Sequence, residues 1–258
     1  ANAVSYIAVI VCLLLMRLPR QRPARPSRST LASIIEGFSY AWRKRPVRAL
    51  LLLLSLVSLM GMPYAVLMPI FAEKILHGGA SALGLLMGAA GIGALIGALS
   101  LAAKNGVRGL GRWVALSAGG FGVSLILFSL SRSFWLSAVL LVLIGFAMMM
   151  QMAASNTLIQ LMTPDSLRGR VMALYSMMFM GMAPLGALLA GALAEHFGAP
   201  LTVALGGVAC IAGAIGFEWR LPTLRQEARQ IVIALQMASG QPADGITGEG
   251  SMLARPRR

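Results

Sequence analysis

Seven long stretches of the chain carry no charged residue: 1–16, 49–72, 79–103, 113–131, 133–164, 171–194 and 197–217. An α-helix rising 1.5 Å per residue needs about 20 residues to cross ~30 Å of hydrocarbon, and most of these runs meet that length. Short polar breaks separate the last six runs, so the pattern predicts antiparallel neighbours in a six-helix bundle over 49–217. Residues 17–30, RLPRQRPARPSRST, are too rich in Arg and Pro for a helix and read as a linker. After them Leu31, Ile34, Ile35, Phe38 and Trp42 recur at helical spacing, with Ser29 or Thr30 as N-cap and RKRPVR at 43–48 as the close. That is an amphipathic helix with a basic end, expected along a membrane surface or as the foot of the next span. From 218 the chain turns polar, with a short helix expected around 222–237 and a largely disordered remainder.

Charge orients these spans. Of the 22 Lys and Arg residues, nine lie in 17–48, three in 104–112, two in 165–170 and six after 217. The alternate gaps hold only Lys74 and Arg132. Loops retained inside a cell collect Lys and Arg, so the alternation predicts seven crossings with the C-terminus cytoplasmic. The chain begins without Met inside an apolar run and on the outer side, with no basic region ahead of it as a signal peptide would have. The expectation is a fragment whose earlier spans are missing.

Composition adds exclusions. The chain is 58% hydrophobic and 12% charged, with mean hydropathy +0.79. Its net charge of +14 sits beside spans and not among exposed aromatics, which argues for membrane and against nucleic acid. Cys12 and Cys210 both lie in apolar runs and offer no disulfide or metal spacing. There is no phosphate loop and no constellation of nucleophile and base, so neither a cofactor nor an enzyme is expected. No Asp, Glu, Lys, Arg or His lies deep within a span: Glu73, Glu195 and Glu218 sit at ends, and His77 and His196 in outer loops.

Small residues dominate two spans. Gly84, Gly88, Gly91, Gly93 and Gly97 include two G-x-x-x-G pairs, and Gly181, Gly186 and Gly191 flank Pro184. In lipid, close backbone approach at such residues supplies packing energy, static or sliding. Pro63, Pro69 and Pro184 remove backbone donors and are expected to bend their spans. Ten of the seventeen Met residues fall in 148–182, where thioethers either repack around varied ligands or fill space. Helical phase puts Gly145, Met149, Met152, Ala153, Asn156 and Gln160 on one face, with Gln151 and Ser155 on the other. Amides in hydrocarbon need partners, so Asn156 and Gln160 line a cavity or bond a neighbouring helix.

Three stretches carry a resemblance: EGFSYAWRKRPVRALLLL, PYAVLMPIFAEKILHGGASALGLLMGAAGIGALIGAL, and NTLIQLMTPDSLRGRVMALYSMMFMGMAPLGALLAGALAEHFG. In that order they resemble the C-terminal half of a major facilitator superfamily transporter, of the bacterial secretion-effector branch that includes enterobactin-type exporters and macrolide-type efflux proteins. The resemblance covers roughly 31–217. It implies an all-α membrane protein: a six-helix C-terminal bundle of a major facilitator fold, preceded by the end of a sixth helix (1–16) and a cytoplasmic linker (17–48). It also implies that the first and fourth complete spans flank a central cavity, adding Ser55, Ser58 and Tyr64 to Met149, Met152, Asn156 and Gln160 as substrate-facing candidates. The family's signature loop has its repeat in Gly97 to Arg112, which keeps Gly97, Arg108, Gly111 and Arg112 but holds no acidic residue. Gly181, Pro184, Gly186 and Gly191 look like a degenerate antiporter motif, a bend and packing element with Pro63, Gly93 and Gly97. In TPDSLRGR, Asp165 is expected to cap the next helix, with Arg168 and Arg170 anchoring the inner face or latching a missing half.

The expected function is a secondary transporter of a bacterial inner membrane. It would export a hydrophobic small molecule, drug or siderophore by alternating access, with any proton coupling in the N-terminal six-helix half. The partners implied are the lipid bilayer, the substrate and that half. A six-span permease or scaffold subunit is the alternative.

Overall fold

The computed structural model describes residues 30–103 and 109–238, together with Cys12 and Leu15. The chain divides into Ala1–Ser33 and Ile34–Arg258. In the first unit Cys12 and Leu15 are helical and exposed. The rest of the apolar run 1–16, the linker with Ser29, the loop 104–108 with Arg108, and residues 239–258 lie outside the described residues.

The described part of the second unit is helix and short connection, with no strand among those residues. Helix α1 is Thr30–Arg43. Six helices long and apolar enough to cross a membrane follow: α2 Arg45–Ile75, α3 Gly79–Ala102, α4 Leu110–Leu130, α5 Phe134–Leu161, α6 Asp165–Phe197 and α7, whose span is Ala199–Met237. Each covers most or all of one of the six apolar runs between 49 and 217. The most extensive packing joins α3 to α5, α4 to α7 and α4 to α5.

The outside of the bundle is apolar. Leu85, Ile92, Leu95 and Leu99 on α3, Leu127 and Leu130 on α4, and Leu185 and Leu188 on α6 are all exposed. In water such a surface would drive aggregation, whereas acyl chains match it. The spans therefore contact a lipid bilayer.

Prolines interrupt two spans. Pro63 has no N–H for the Leu59 carbonyl, and the helix answers just upstream with a π-turn over Val57–Gly61, closed by Met62 N–H to Val57 O at 3.1 Å. A second π-turn, Phe71–Ile75, follows Pro69. In α6 the helix divides into Asp165–Met180 and Met182–Phe197, three residues ahead of Pro184.

Glycines decide where spans approach most closely. A Cβ added at Gly145 would lie 1.9 Å from Ala90 O, and one at Gly93 1.9 Å from Val142 O, so α3 and α5 meet backbone to backbone. Gly97 meets Phe146 O in the same seam, at 2.8 Å from an added Cβ. Gly186 and Gly206 face the Leu59 and Met60 carbonyls beside Pro63, which would lie 2.3 and 2.2 Å from an added Cβ. Gly84, Gly88, Gly91 and Gly191 have open space instead. Only one of the two G-x-x-x-G pairs of α3 is therefore used inside this bundle.

The C-terminal segment differs from the expected separate short helix. α7 runs unbroken from Ala199 to Ala238, with Pro222 inside it. Buried Phe217, Leu221 and Leu224 hold this part against the bundle on either side of the proline. The carbonyl that Pro222 leaves without a donor belongs to Glu218, at an exposed position where water can reach it.

Candidate substrate-facing site

Three spans are stitched together by polar groups on one side of the bundle. On α2, Ser55 Oγ donates to Leu51 O at 2.8 Å and lies 3.1 Å from Met178 Sδ of α6. One turn on, the fully buried Ser58 donates to Phe179 O at 2.5 Å. On α6, the Tyr175 hydroxyl donates to Met152 O of α5 at 2.9 Å and also interacts with the Asn156 side chain. On α5, Gln160 Nε2 donates to Asn156 Oδ1 at 2.5 Å. Asn156, Gln160, Met152, Met178 and Ser55 are all half-buried. The cluster is therefore neither sealed in the core nor fully exposed.

The α5 amides find partners within their own helix and on α6. Asn156 and Gln160 bond each other along one helix, four residues apart, and Tyr175 ties Asn156 to a neighbour. Two of the seven cavity candidates lie elsewhere. Tyr64 is 7% exposed and packs edge-on to Phe121 of α4 at 6.2 Å. Met149 faces the α3 seam, its Cβ 3.3 Å from a Cβ added at Gly97. One helical face thus serves two neighbours along its length, α3 above and α6 below. Among the other methionines of 148–182, Met150 and Met162 are buried, while Met177 and Met180 are exposed.

Gln151 and Ser155, on the opposite face of α5, are buried at 1% and 0% exposure. Gln151 Nε2 and Ser155 Oγ have no hydrogen-bond partner among the described residues. Such buried donors ask for water or a polar ligand group. Helical phase sets these two apart from the candidate face, and the spacing does not single out Tyr175. A phenol within a span always needs a partner, and that was the available signal.

The sequence matches the family model for transmembrane secretion effectors over residues 1–239. The chain belongs to that family. It is a membrane transporter of the major facilitator kind, a non-enzymatic class. No curated protein matches the chain.

In this secretion effector the basic-end residues fall into two groups. Asp165 does not cap α6 as expected. Pro164 occupies the N-cap in extended conformation without a side-chain cap bond, and Asp165, now the first helical residue, pairs with Arg168 at 2.7 Å. Its charge still lies at the positive end of the helix dipole. Arg170 reaches further: its Nη1 lies 2.7 Å from Glu36 Oε2 on α1. Around that ion pair Gly37 abuts Arg170, with an added Cβ 2.7 Å from Arg170 Cβ, and the Tyr40 hydroxyl donates to the Met162 carbonyl. Burial raises the pKa of Tyr40 above its ordinary 10.0, which keeps it a donor at neutral pH. Arg112 is exposed near the start of α4. Among the described residues no three His, Cys, Asp or Glu side chains gather as a metal site.

Proposed function

We propose that this chain forms the C-terminal half of a secondary active exporter in a bacterial inner membrane. It would carry hydrophobic small molecules, drugs or siderophores outward by alternating access, rocking against a companion six-helix half. The observation that carries this reading is the half-buried Asn156–Gln160 pair on a membrane-spanning helix. Amides turned to hydrocarbon cost several kcal/mol, roughly 2–7 each when unbonded, so this face belongs against water or protein. Ser55, Met152, Tyr175 and Met178 extend the same face across three spans, giving a surface of a few polar groups among adaptable thioethers. Proton coupling belongs to the companion half, because no Asp, Glu, Lys, Arg or His lies deep within the apolar runs of α2 to α7.

The test loads cells with a hydrophobic fluorescent dye and follows its loss with the full-length protein present. Faster efflux is expected, abolished by an uncoupler and slowed severalfold in an Asn156→Leu, Gln160→Leu double variant of equal membrane abundance. Dye retention unchanged by the full-length protein overturns the export reading.

A further inference from the structure

Two cavities meet at the basic end of the bundle, away from the polar face just described. The first, about 280 Å³, opens between α2, α4, α5 and α7, with walls that include Pro46, Leu50, Leu158, Phe217 and Leu221. Among the described residues, Arg225 is the only charged one in its wall. That side chain is exposed and makes no ion pair among the described residues. The second cavity, about 360 Å³, is lined by Arg43, Lys44 and Arg45 on one side and by Glu227, Gln230 and Ile231 on the other. Consecutive residues divide the two: Arg45 and Pro46 on one wall, Glu227 and Ala228 on the opposite wall. Among the described residues Glu227 engages only Arg45, at 3.5 Å, and Lys44 lies 6.0 Å from the Tyr40 ring centroid. The seam therefore carries four cations against one carboxylate.

Its depth in the molecule points to a particular occupant. The apolar run of α7 ends at residue 217, and Leu221, Leu224 and Arg225 follow within about two turns, at the level of lipid headgroups. An apolar chamber beside an unpaired cation fits an amphiphile with an anionic head. A small soluble anion would gain nothing from the apolar walls, and a zwitterionic lipid would leave the excess positive charge uncompensated.

We propose that this seam binds an anionic phospholipid. Arg225 and the Arg43–Arg45 cluster hold its phosphate, and one acyl chain enters the chamber walled by Leu50, Leu158 and Leu221. Occupancy would tie α1, α2 and α7 together at the point where the linker joins the bundle.

The full chain in detergent is titrated with phosphatidylglycerol or with phosphatidylcholine, and bound lipid is read by native mass spectrometry. Phosphatidylglycerol should bind about tenfold more tightly or better. An Arg225→Gln, Arg43→Gln variant should lose that preference; both positions are exposed, so the fold is spared. Leu221→Trp, which fills the chamber and keeps every charge, should lose the lipid as well. Equal binding of the two lipids overturns the proposal, as does a preference that survives Arg225→Gln, Arg43→Gln. Glycerol phosphate competing as well as the intact lipid would mark a free-anion site and overturn it too.

Discussion

Single glycines set how closely the spans of this transporter approach, and their positions are unequal in a way that sequence spacing hides. Gly93 and Gly145 each lie against a carbonyl of the partner helix, 1.9 Å from where a Cβ would stand. Gly84 has nothing within 4 Å. Gly93→Ala or Gly145→Ala must separate two backbones along a seam that has no soft side chain to yield, an overpacking cost of about 1–3 kcal/mol or more. Gly84→Ala meets open space and improves helix propensity, so its stability should change by less than about 1 kcal/mol. Unfolding of the purified variants in detergent distinguishes the three, and a Gly145→Ala protein as stable as Gly84→Ala would remove the seam from the account. The glycine-rich character of α3 was legible in the chain. Which face of it meets α5 was not, because a helix apolar all round has no stripe to fix its rotation.

At the scale of elements, the prolines and the linker helix show how far local rules reach. Pro63 announces a missing donor, yet the adjustment appears upstream as a π-turn over Val57–Gly61, placed so that the Leu59 and Met60 carbonyls lie against Gly186 and Gly206. Tertiary contact chose that place, and no window of sequence contains it. Pro222 is the converse case: burial of Leu221 and Leu224 carries α7 through a residue that reads as a stop. Helix α1 was legible from its spacing, and its apolar residues Ile34, Ile35, Phe38 and Trp42 are exposed on one face. Its other face docks through Gly37, Tyr40 and the Glu36–Arg170 ion pair. With both side chains about 40% exposed, that pair contributes roughly 0.2–1 kcal/mol after solvent screening. Glu36→Gln should therefore speed amide hydrogen exchange in α1 by about fivefold at most, leaving α3 to α5 unchanged. An equal increase across the spans would mean that the pair supports the whole bundle and not the docking of α1.

Over the whole molecule, the alternation of basic and neutral loops and the packing of the helix ends agree on which ends lie together. Tyr40 reaches Met162, Arg170 reaches Glu36, and Arg45 reaches Glu227, so the starts of α2 and α6 and the ends of α5 and α7 share one side of the bundle. Lys74, in the last turn of α2, and Arg132, in the connection before α5, lie at the opposite side. The six spans were legible because hydrocarbon demands uninterrupted apolar length, a constraint written residue by residue. The polar face was only half legible: phase alone grouped Met149 with Asn156, but Met149 turns to α3 while Tyr175, on another span, completes the cluster. Charge then argues that the Arg-rich side faces the cytoplasm, since translocating those loops against the inward pull on positive charge is unfavourable. Cysteine labelling in intact cells tests it on a Cys12→Ser background, because the other native thiol, Cys210, is fully buried. A membrane-impermeant maleimide should modify Ser133→Cys, which sits in the connection before α5, and should reach Gln230→Cys on α7 only after the membrane is opened. The reverse pattern would turn the transporter over, placing the Asp165–Arg168 pair and the linker outside and reversing the direction inferred for its cargo.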